Sequence, residues 1–313
     1  MSSSKAQNSG KTQNTSDEKL YPLMPPPGAP LIGVVLRPGT WSIYGFWKEA
    51  LQGVQRVAFS RGYGLVVINP APTSDLEDKY YLDSLPGILS GLLLMAPEIK
   101  PDLLNALADK EMPSVVLFRR FERLSYVEVD NEGGARMAVE HLIQLGHQRI
   151  AFLNGPPDSS DAKDRMAGYV TALKKNNIPY REDYILAADF EQAKAYRAMQ
   201  ELLKRNPPPT AVFAANDYMA LGAISAIQDE GLSVPGHVAV VGFDDLELPN
   251  LTFRLPPLTT VRQPVYEIAK EGTELLILLM EGRIQENRQK VFPSQLIVRS
   301  TSGSYIQETK STP

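Results

Sequence analysis

From Leu31 onward, short apolar runs alternate with longer segments in which apolar residues recur every three or four positions. The runs are Leu31–Leu36, Gly64–Ile68, Gly91–Met95, Ser114–Phe118, Arg149–Leu153, Ala211–Ala214 and His237–Gly242. Such short runs predict strands buried on both faces, as in a parallel sheet covered by helices. The segments between them carry helix signals. Between Asn131 and Leu145, Ala135, Ala138, Val139, Leu142 and Ile143 share one face, with Asp130 or Asn131 as cap and Gly146 as stop. Asp217–Glu230 repeats the pattern through Met219, Ala223 and Ile227 before Gly231, and Val265–Glu281 through Ile268, Ala269, Leu275, Leu276 and Leu279 before Gly282. A further amphipathic helix starts near Lys163, and another follows Trp41–Trp47. The expected fold class is α/β, with two parallel-sheet lobes, the first series of strands in one and the second in the other.

Upstream of Leu31 the pattern vanishes. Residues 1–19 hold only Met1 and Ala6 as apolar side chains, and Pro22, Pro25, Pro26, Pro27 and Pro30 follow, so residues 1–30 are expected to be a disordered tail on a proline-rich connector. Residues 304–313 are read as a second tail. The N-terminus lacks the apolar segment of an export signal, and no apolar run approaches the roughly 18 residues that span a bilayer. A cytoplasmic protein without membrane contact is the expectation. With 313 residues, 43% of them hydrophobic, the chain can fill two lobes, while a net charge of -4 leaves no basic footprint for nucleic acid. The absence of cysteine excludes disulfides and thiolate chemistry. His141, His147 and His237 are too dispersed for a metal cluster, and His147 after Gly146 reads as a helix C-terminal cation or a local hydrogen-bond donor. No nucleophile elbow, Walker loop or dinucleotide fingerprint appears. Neither enzymatic activity nor a metal or cofactor is expected.

The polar residues that end the strands are the candidates for binding chemistry. Asp244 and Asp245 follow the strand through Val241, where a carboxylate either closes a turn or accepts hydroxyl hydrogen bonds in a partly dry cleft. Arg165 stands in the first turns of its helix, as a solvated surface arginine or as a rigid donor fork for a ligand. Asn216 can cap the helix from Asp217 or face a cleft, and the two roles are compatible. Phe190, taken alone, reads as core. Phe46 and Trp47 fit an apolar helix face equally well as a pocket wall.

Several of these residues sit in longer motifs: Val129-Asp-Asn-Glu-Gly-Gly-Ala-Arg136, Glu140-His-Leu-Ile-Gln-Leu-Gly-His147, Arg165-Met-Ala-Gly-Tyr169, Ala214-Ala-Asn-Asp-Tyr-Met-Ala-Leu-Gly222, and Val240-Val-Gly-Phe-Asp-Asp245 followed by Leu255-Pro-Pro-Leu-Thr-Thr-Val-Arg-Gln263. In this order and spacing, over about residues 31–303, the chain resembles the effector-binding core of the LacI/GalR family of bacterial repressors. The resemblance implies a periplasmic-binding-protein-like architecture in which the chain crosses between lobes near Gly146, Gln263 and Phe292. The N-terminal lobe would then comprise 31–146 plus 265–291, and the C-terminal lobe 147–264 plus 292–303. It implies a ligand site in the interlobe cleft, formed by Arg165, Asn216, Asp244, Phe190, Phe46, Trp47 and Gln263, with Asp245 structural. The loop at Trp41–Trp47 departs from the Asn-Pro-Phe-Phe common there in the family, which bears on the ligand's identity. The ligand implied is a small polar metabolite, with a sugar as the first expectation, and its capture would alter a homodimer. The helix from Asp217, through Met219, Ala220, Ala223 and Ile227, is expected to contribute to that dimer. Residues 1–30 hold no helix-turn-helix pattern, so DNA is expected as a partner only through a headpiece or a second protein not evident in this chain. A solute receptor acting without DNA is the second reading.

Overall fold

The computed structural model describes residues 27–36, 44–68, 87–95, 101–110, 112–247 and 256–303. Most of both tails lies outside these residues, and with them the expectations about residues 1–26 and about Trp41.

Two six-stranded sheets form the two lobes. The first contains β1 (Leu31–Val35), β2 (Gly64–Ile68), β3 (Gly91–Leu94), β4 (Ser114–Leu117) and β5 (Ser125–Val129), joined by β11 (Gln289–Phe292) from the far end of the chain. Its order is β11-β5-β4-β3-β1-β2, and every pairing is parallel. The second contains β6 (Ile150–Asn154), β7 (Ile185–Ala187), β8 (Ala211–Ala214), β9 (Ala239–Asp244), β10 (Thr259–Arg262) and β12 (Gln295–Ile297). Its order is β12-β10-β9-β8-β6-β7, parallel except for β12, which runs against β10.

Helices cover both faces of the first sheet, which is why its central strands are apolar throughout. On one face α1 (Tyr44–Ser60) and α7 (Val265–Met280) bury Phe46, Ala50, Val54, Ile268 and Leu276, and on the other α2 (Pro101–Asp109) buries Leu104 and Leu107. The second sheet is covered by α3 (Asn131–Gln144), α4 (Ser160–Lys175), α5 (Gln192–Leu203) and α6 (Asp217–Asp229).

The first crossing between lobes does not lie near Gly146. Helix α3 packs its Ala135, Ala138, Val139 and Leu142 into the second core, so the chain changes lobes at Asp130, directly after β5. Periodicity shows which residues a helix buries, not which sheet receives them. The later crossings fall between β10 and α7, at Gln263 and Pro264, and between β11 and β12.

The face of α6 expected to join a dimer is used inside the lobe. Met219, Ala220, Ala223 and Ile227 are all fully buried within this chain, because α6 lies between its own sheet and α5. The approach of α5 is so close that a Cβ on Gly222 would run into the Gln192 carbonyl oxygen. Gly168 serves the same purpose where α4 meets α3: a side chain there would meet the Glu132 carbonyl oxygen and, at 2.8 Å, the Arg136 amide nitrogen. Backbone cannot move aside as a flexible side chain can. Gly168→Ala is therefore expected to cost about 1–3 kcal/mol or more of stability, despite alanine's better helix propensity. Urea unfolding checks this, and a stabilised variant would mean that the two helices can separate freely.

Candidate functional site

The site is built where the strands of the second sheet end, facing the first lobe. Helix α4 begins after Ser159, whose hydroxyl accepts from the Ala162 amide at 3.4 Å, and this start places Arg165 in the second turn. Arg165 is only 4% exposed, and its guanidinium lies 3.8 Å from the centroid of the Phe243 ring and 5.8 Å from that of Phe190. Its Nε donates to Asn131 Oδ1 at 2.9 Å, and its Nη1 donates to the Ala215 carbonyl oxygen. The Asp244 carboxylate stands 3.9 Å from Nη1, near enough for charge attraction and too far for a direct hydrogen bond.

Asp244 ends β9 with a φ of +120°, a conformation unusual for a residue other than glycine. Gln263 Nε2 donates to its Oδ1 at 2.7 Å. Burial pushes the Asp244 carboxyl up to about 6, against the opposing pull of Arg165 and the Gln263 hydrogen bond. Its neighbour Asp217 is raised well above the usual range by burial and by the charge of Asp244, although Thr260 Oγ1 donates to it at 2.6 Å and the Leu246 amide at 2.8 Å. Asp245 has a separate task. Its carboxylate receives Arg262 and Arg299, each at 2.6 Å, which ties the turn after β9 to β10 and to the C-terminal segment.

Asn216 caps α6, its Oδ1 accepting from the Met219 amide at 2.8 Å, while its Nδ2 donates to the Phe190 carbonyl at 3.2 Å. One amide hydrogen and one oxygen lone pair remain beyond these two bonds. Phe190 is half-buried with a φ of +61° and leans over Gly155, where any side chain would collide with its ring. Arg165, Asn216, Asp244, Phe190 and Gln263 are thus brought together by direct contacts.

Phe46 and Trp47 come from the first lobe. Both are buried, with ring centroids 5.0 Å apart, and Phe118 at the end of β4 packs edge-on against each, at 4.8 and 5.9 Å. Phe46 and Asp244 line a common interlobe cavity of about 490 Å³, with Lys48, Glu49, Asp245 and Arg262 around it. Trp47 joins the group through Phe46. The indole Nε1 of Trp47 is buried without a hydrogen-bond partner.

Sequence patterns missed several neighbours. Of the two expected caps of α3, Asp130 takes the role, accepting from the Gly133 amide at 2.8 Å and leaving Asn131 for Arg165. Glu128 ends up 3% exposed on β5, with Oε2 unpartnered and burial pushing its carboxyl up to about 8. Arg120 lies 3.5 Å from Glu128 and pairs with Asp164 of α4, so this cluster joins the two lobes. Burial also pushes Asp161 upward, one turn before Arg165. His147 is held neutral, since burial lowers it to about 4, and its Nδ1 lies 3.1 Å from Thr210 Oγ1. It therefore acts as a local hydrogen-bonding group and not as a helix C-terminal cation.

Residues 139–302, more than half of the chain, match the model of the periplasmic binding protein-like domain. A regulatory protein of the LacI family from Chloroflexus aggregans shares the fold with a TM-score of 0.76 and 29% identity, covering 88% of this chain and 99% of that one. The HTH-type transcriptional repressor PurR of Aliivibrio fischeri is 35% identical over 86% of this chain and 80% of its own. The chain belongs to the LacI/GalR family. Another LacI/GalR relative, the repressor CytR of Escherichia coli K12, is 34% identical over 82% of this chain and 75% of its own length. The transcriptional regulator CelR, solved as a cellobiose complex, superposes with a TM-score of 0.79 at 33% identity, covering 87% of this chain and 84% of that one. The described residues form the two-lobed effector-binding core of a LacI/GalR transcriptional regulator. Among them no helix is long and apolar enough to cross a membrane, and no group of three or more histidine or acidic side chains is placed to hold a metal ion.

Proposed function

We propose that this LacI/GalR core senses a small neutral polyol, with a sugar as the first expectation, which binds between the lobes and changes the geometry of a cytoplasmic dimer. The observation that carries the reading is the buried Arg165–Asp244 pair, in which Arg165 lies against the Phe243 and Phe190 rings and Asp244 lines a cavity shared with Phe46. A guanidinium and a carboxylate side by side offer donors and acceptors to the same hydroxyl groups, and aromatic faces receive the C–H side of a sugar ring. Asn216 adds one further donor and acceptor, and Trp47 supports the wall that Phe46 presents. Gln263 belongs to the site through its hold on Asp244.

Charge favours a neutral ligand over a phosphorylated one. Arg165 is already matched by Asp244, Asn131 and the Ala215 carbonyl, and Asp161 adds a carboxyl beside it. A phosphate would meet these groups with Arg165 already engaged and Arg262 and Arg299 held by Asp245, which leaves Lys48 on the far wall of the cavity to face it. For the dimer, the exposed Val66 and Val67 on the edge strand β2, together with Ile88, offer an apolar surface that the interior of α6 does not.

Calorimetry with a panel of neutral sugars, including cellobiose, and their phosphorylated forms tests the reading. One site per chain is expected, filled by a neutral member. If no member binds at millimolar concentration to folded protein, the sensing role fails; if only phosphorylated sugars bind, the charge reasoning does.

A further inference from the structure

Two of the side chains around the ligand pair stand at places where the chain changes lobes. Asn131 is the second residue after β5, at the first crossing, and Gln263 directly follows β10, at the second. Each makes one short hydrogen bond into the pair: Asn131 Oδ1 accepts from Arg165 Nε at 2.9 Å, and Gln263 Nε2 donates to Asp244 Oδ1 at 2.7 Å. Neither bond is needed for secondary structure, since Asp130 already caps α3 and Gln263 lies outside the β10 ladder.

We propose that Asn131 and Gln263 are positioning residues for the ligand pair: Asn131 sets the plane of the Arg165 guanidinium, and Gln263 orients the Asp244 carboxylate. The inference rests on the effector-site reading above, but its test requires no effector.

An arginine side chain has the rotamer freedom to point in many directions, and ordering it costs about 2 kcal/mol of conformational entropy. Here the fork is pinned at two of its five donors, by Asn131 at Nε and by the Ala215 carbonyl at Nη1, and its face rests on Phe243. The amide of Asn131 is itself oriented, because its Nδ2 lies 3.4 Å from the Val129 carbonyl and its oxygen therefore turns to Arg165. Three guanidinium hydrogens remain for a ligand. On the other side Gln263 occupies Oδ1 of Asp244, which leaves Oδ2 as the acceptor for a ligand hydroxyl. Because both positioning residues sit at crossings, a hinge motion that displaces either one also misplaces the pair.

The charged and titratable groups facing Asp244 are Arg165 and Asp161 from α4, Asp217 and Tyr218 from α6, Lys48 and Glu49 from α1 across the cavity, and Asp245, Glu247, Arg262 and Arg299 along the same wall. Gln263 is neutral, so it acts on Asp244 by its hydrogen bond alone, which favours the ionised carboxylate.

NMR of protein labelled with ¹⁵N in its arginine side chains and ¹³C in its aspartate carboxyls reads both bonds directly. The Arg165 Nε–H should exchange slowly in the parent, at least tenfold faster in Asn131→Ala, and slowly again in Asn131→Asp, which restores the acceptor. Asn131→Ser, too short to reach Nε, replaces the alanine variant should that fail to fold. The Asp244 carboxyl should titrate near 6 in the parent and at higher pH in Gln263→Leu. Unchanged exchange in a folded Asn131→Ala or Asn131→Ser variant, fast exchange in Asn131→Asp, or an unmoved Asp244 midpoint would each overturn the corresponding positioning role. These spectra are independent of the sugar panel, so failure of the panel and failure of the positioning bonds are told apart.

Discussion

Replacing Glu128 with glutamine is expected to stabilise the protein by about 3 kcal/mol at pH 7 and by far less at pH 4.5. Glu128 is 3% exposed, its Oε2 has no partner, and its nearest cation, Arg120, lies 3.5 Å away and is already paired with Asp164. Burial raises its carboxyl from the ordinary 4.5 to about 8, opposed by Arg120 and reinforced by Asp161, Asp164 and Asp130. The sign follows from proton counting. Between these two values the folded state keeps a proton that the unfolded state has released, so stability is complete below about 4.5 and declines as pH rises toward 8. At pH 7 roughly 2.5 pH units of that decline have accumulated, and each unit is worth about 1.4 kcal/mol. Glutamine has nothing to ionise and keeps the carbonyl oxygen near Arg120, so the penalty disappears. Urea unfolding of both proteins at pH 5 and pH 7.5 gives the comparison. An equal gain at the two values would mean that Glu128 is ionised in the fold or exposed enough not to matter.

Central strands with continuous apolar runs were legible from sequence, whereas β5, β10, β11 and β12, which carry polar residues, and the three-residue β7 were not. Leu92, Leu93, Val115 and Val116, and Val240 with Val241, belong to central strands covered on both sides, where every position is apolar and the run stands out. β5 carries Ser125 and Glu128 among its buried residues, β10 carries Thr259 and Thr260, and the edge strands β11 and β12 are largely exposed. Their hydrogen bonding to a neighbouring strand makes them strands, and composition does not record that. The existence of α3, α6 and α7 was likewise clear, because each combines a stripe with a glycine stop, whereas α2 and α5 were not read from sequence. What periodicity could not show was which sheet α3 covers, or that α6 is buried nearly all round by α5 and its own sheet.

For the site, single residues were readable and their mutual bonds were not. Asp244, Asn216 and Arg165 are polar residues at the end of an apolar strand or early in a helix, and the resemblance to the LacI/GalR core, more than position alone, marked them as candidates. Their partners come from far along the chain, as Asn131 lies 34 residues from Arg165, or sit unremarked beside them, as Phe243 does before Asp244. Only the fold makes them neighbours. Glu128 was hidden for a different reason: between Val127 and Val129 it looks like the solvent-facing member of an alternating strand, whereas helices and the second lobe cover that face.

The removal of Arg165 should be the most damaging single change in the cleft. Arg165→Ala is expected to cost about 3–5 kcal/mol of stability, because it leaves a buried carboxylate without its cation. Asp244 would lose the charge 3.9 Å away that holds its carboxyl down, and it would face Asp161 and Asp217 uncompensated. The Asn131 oxygen would also lose its donor in a buried setting, and the Ala215 carbonyl would lose one too. Asp244→Asn should behave quite differently, within about 1 kcal/mol of the parent, since it removes one of several crowded carboxylates and keeps an oxygen for Gln263. Any sugar that the parent binds should be lost in Arg165→Ala and weakened at least tenfold in Asp244→Asn, as a ligand hydroxyl loses its charged acceptor. The double variant Arg165→Ala/Asp244→Asn separates charge from packing. If the cost of losing Arg165 is electrostatic, the double variant recovers stability relative to Arg165→Ala; if it is equally unstable, the guanidinium serves the fold through its packing against Phe243, and the cleft charge account is wrong.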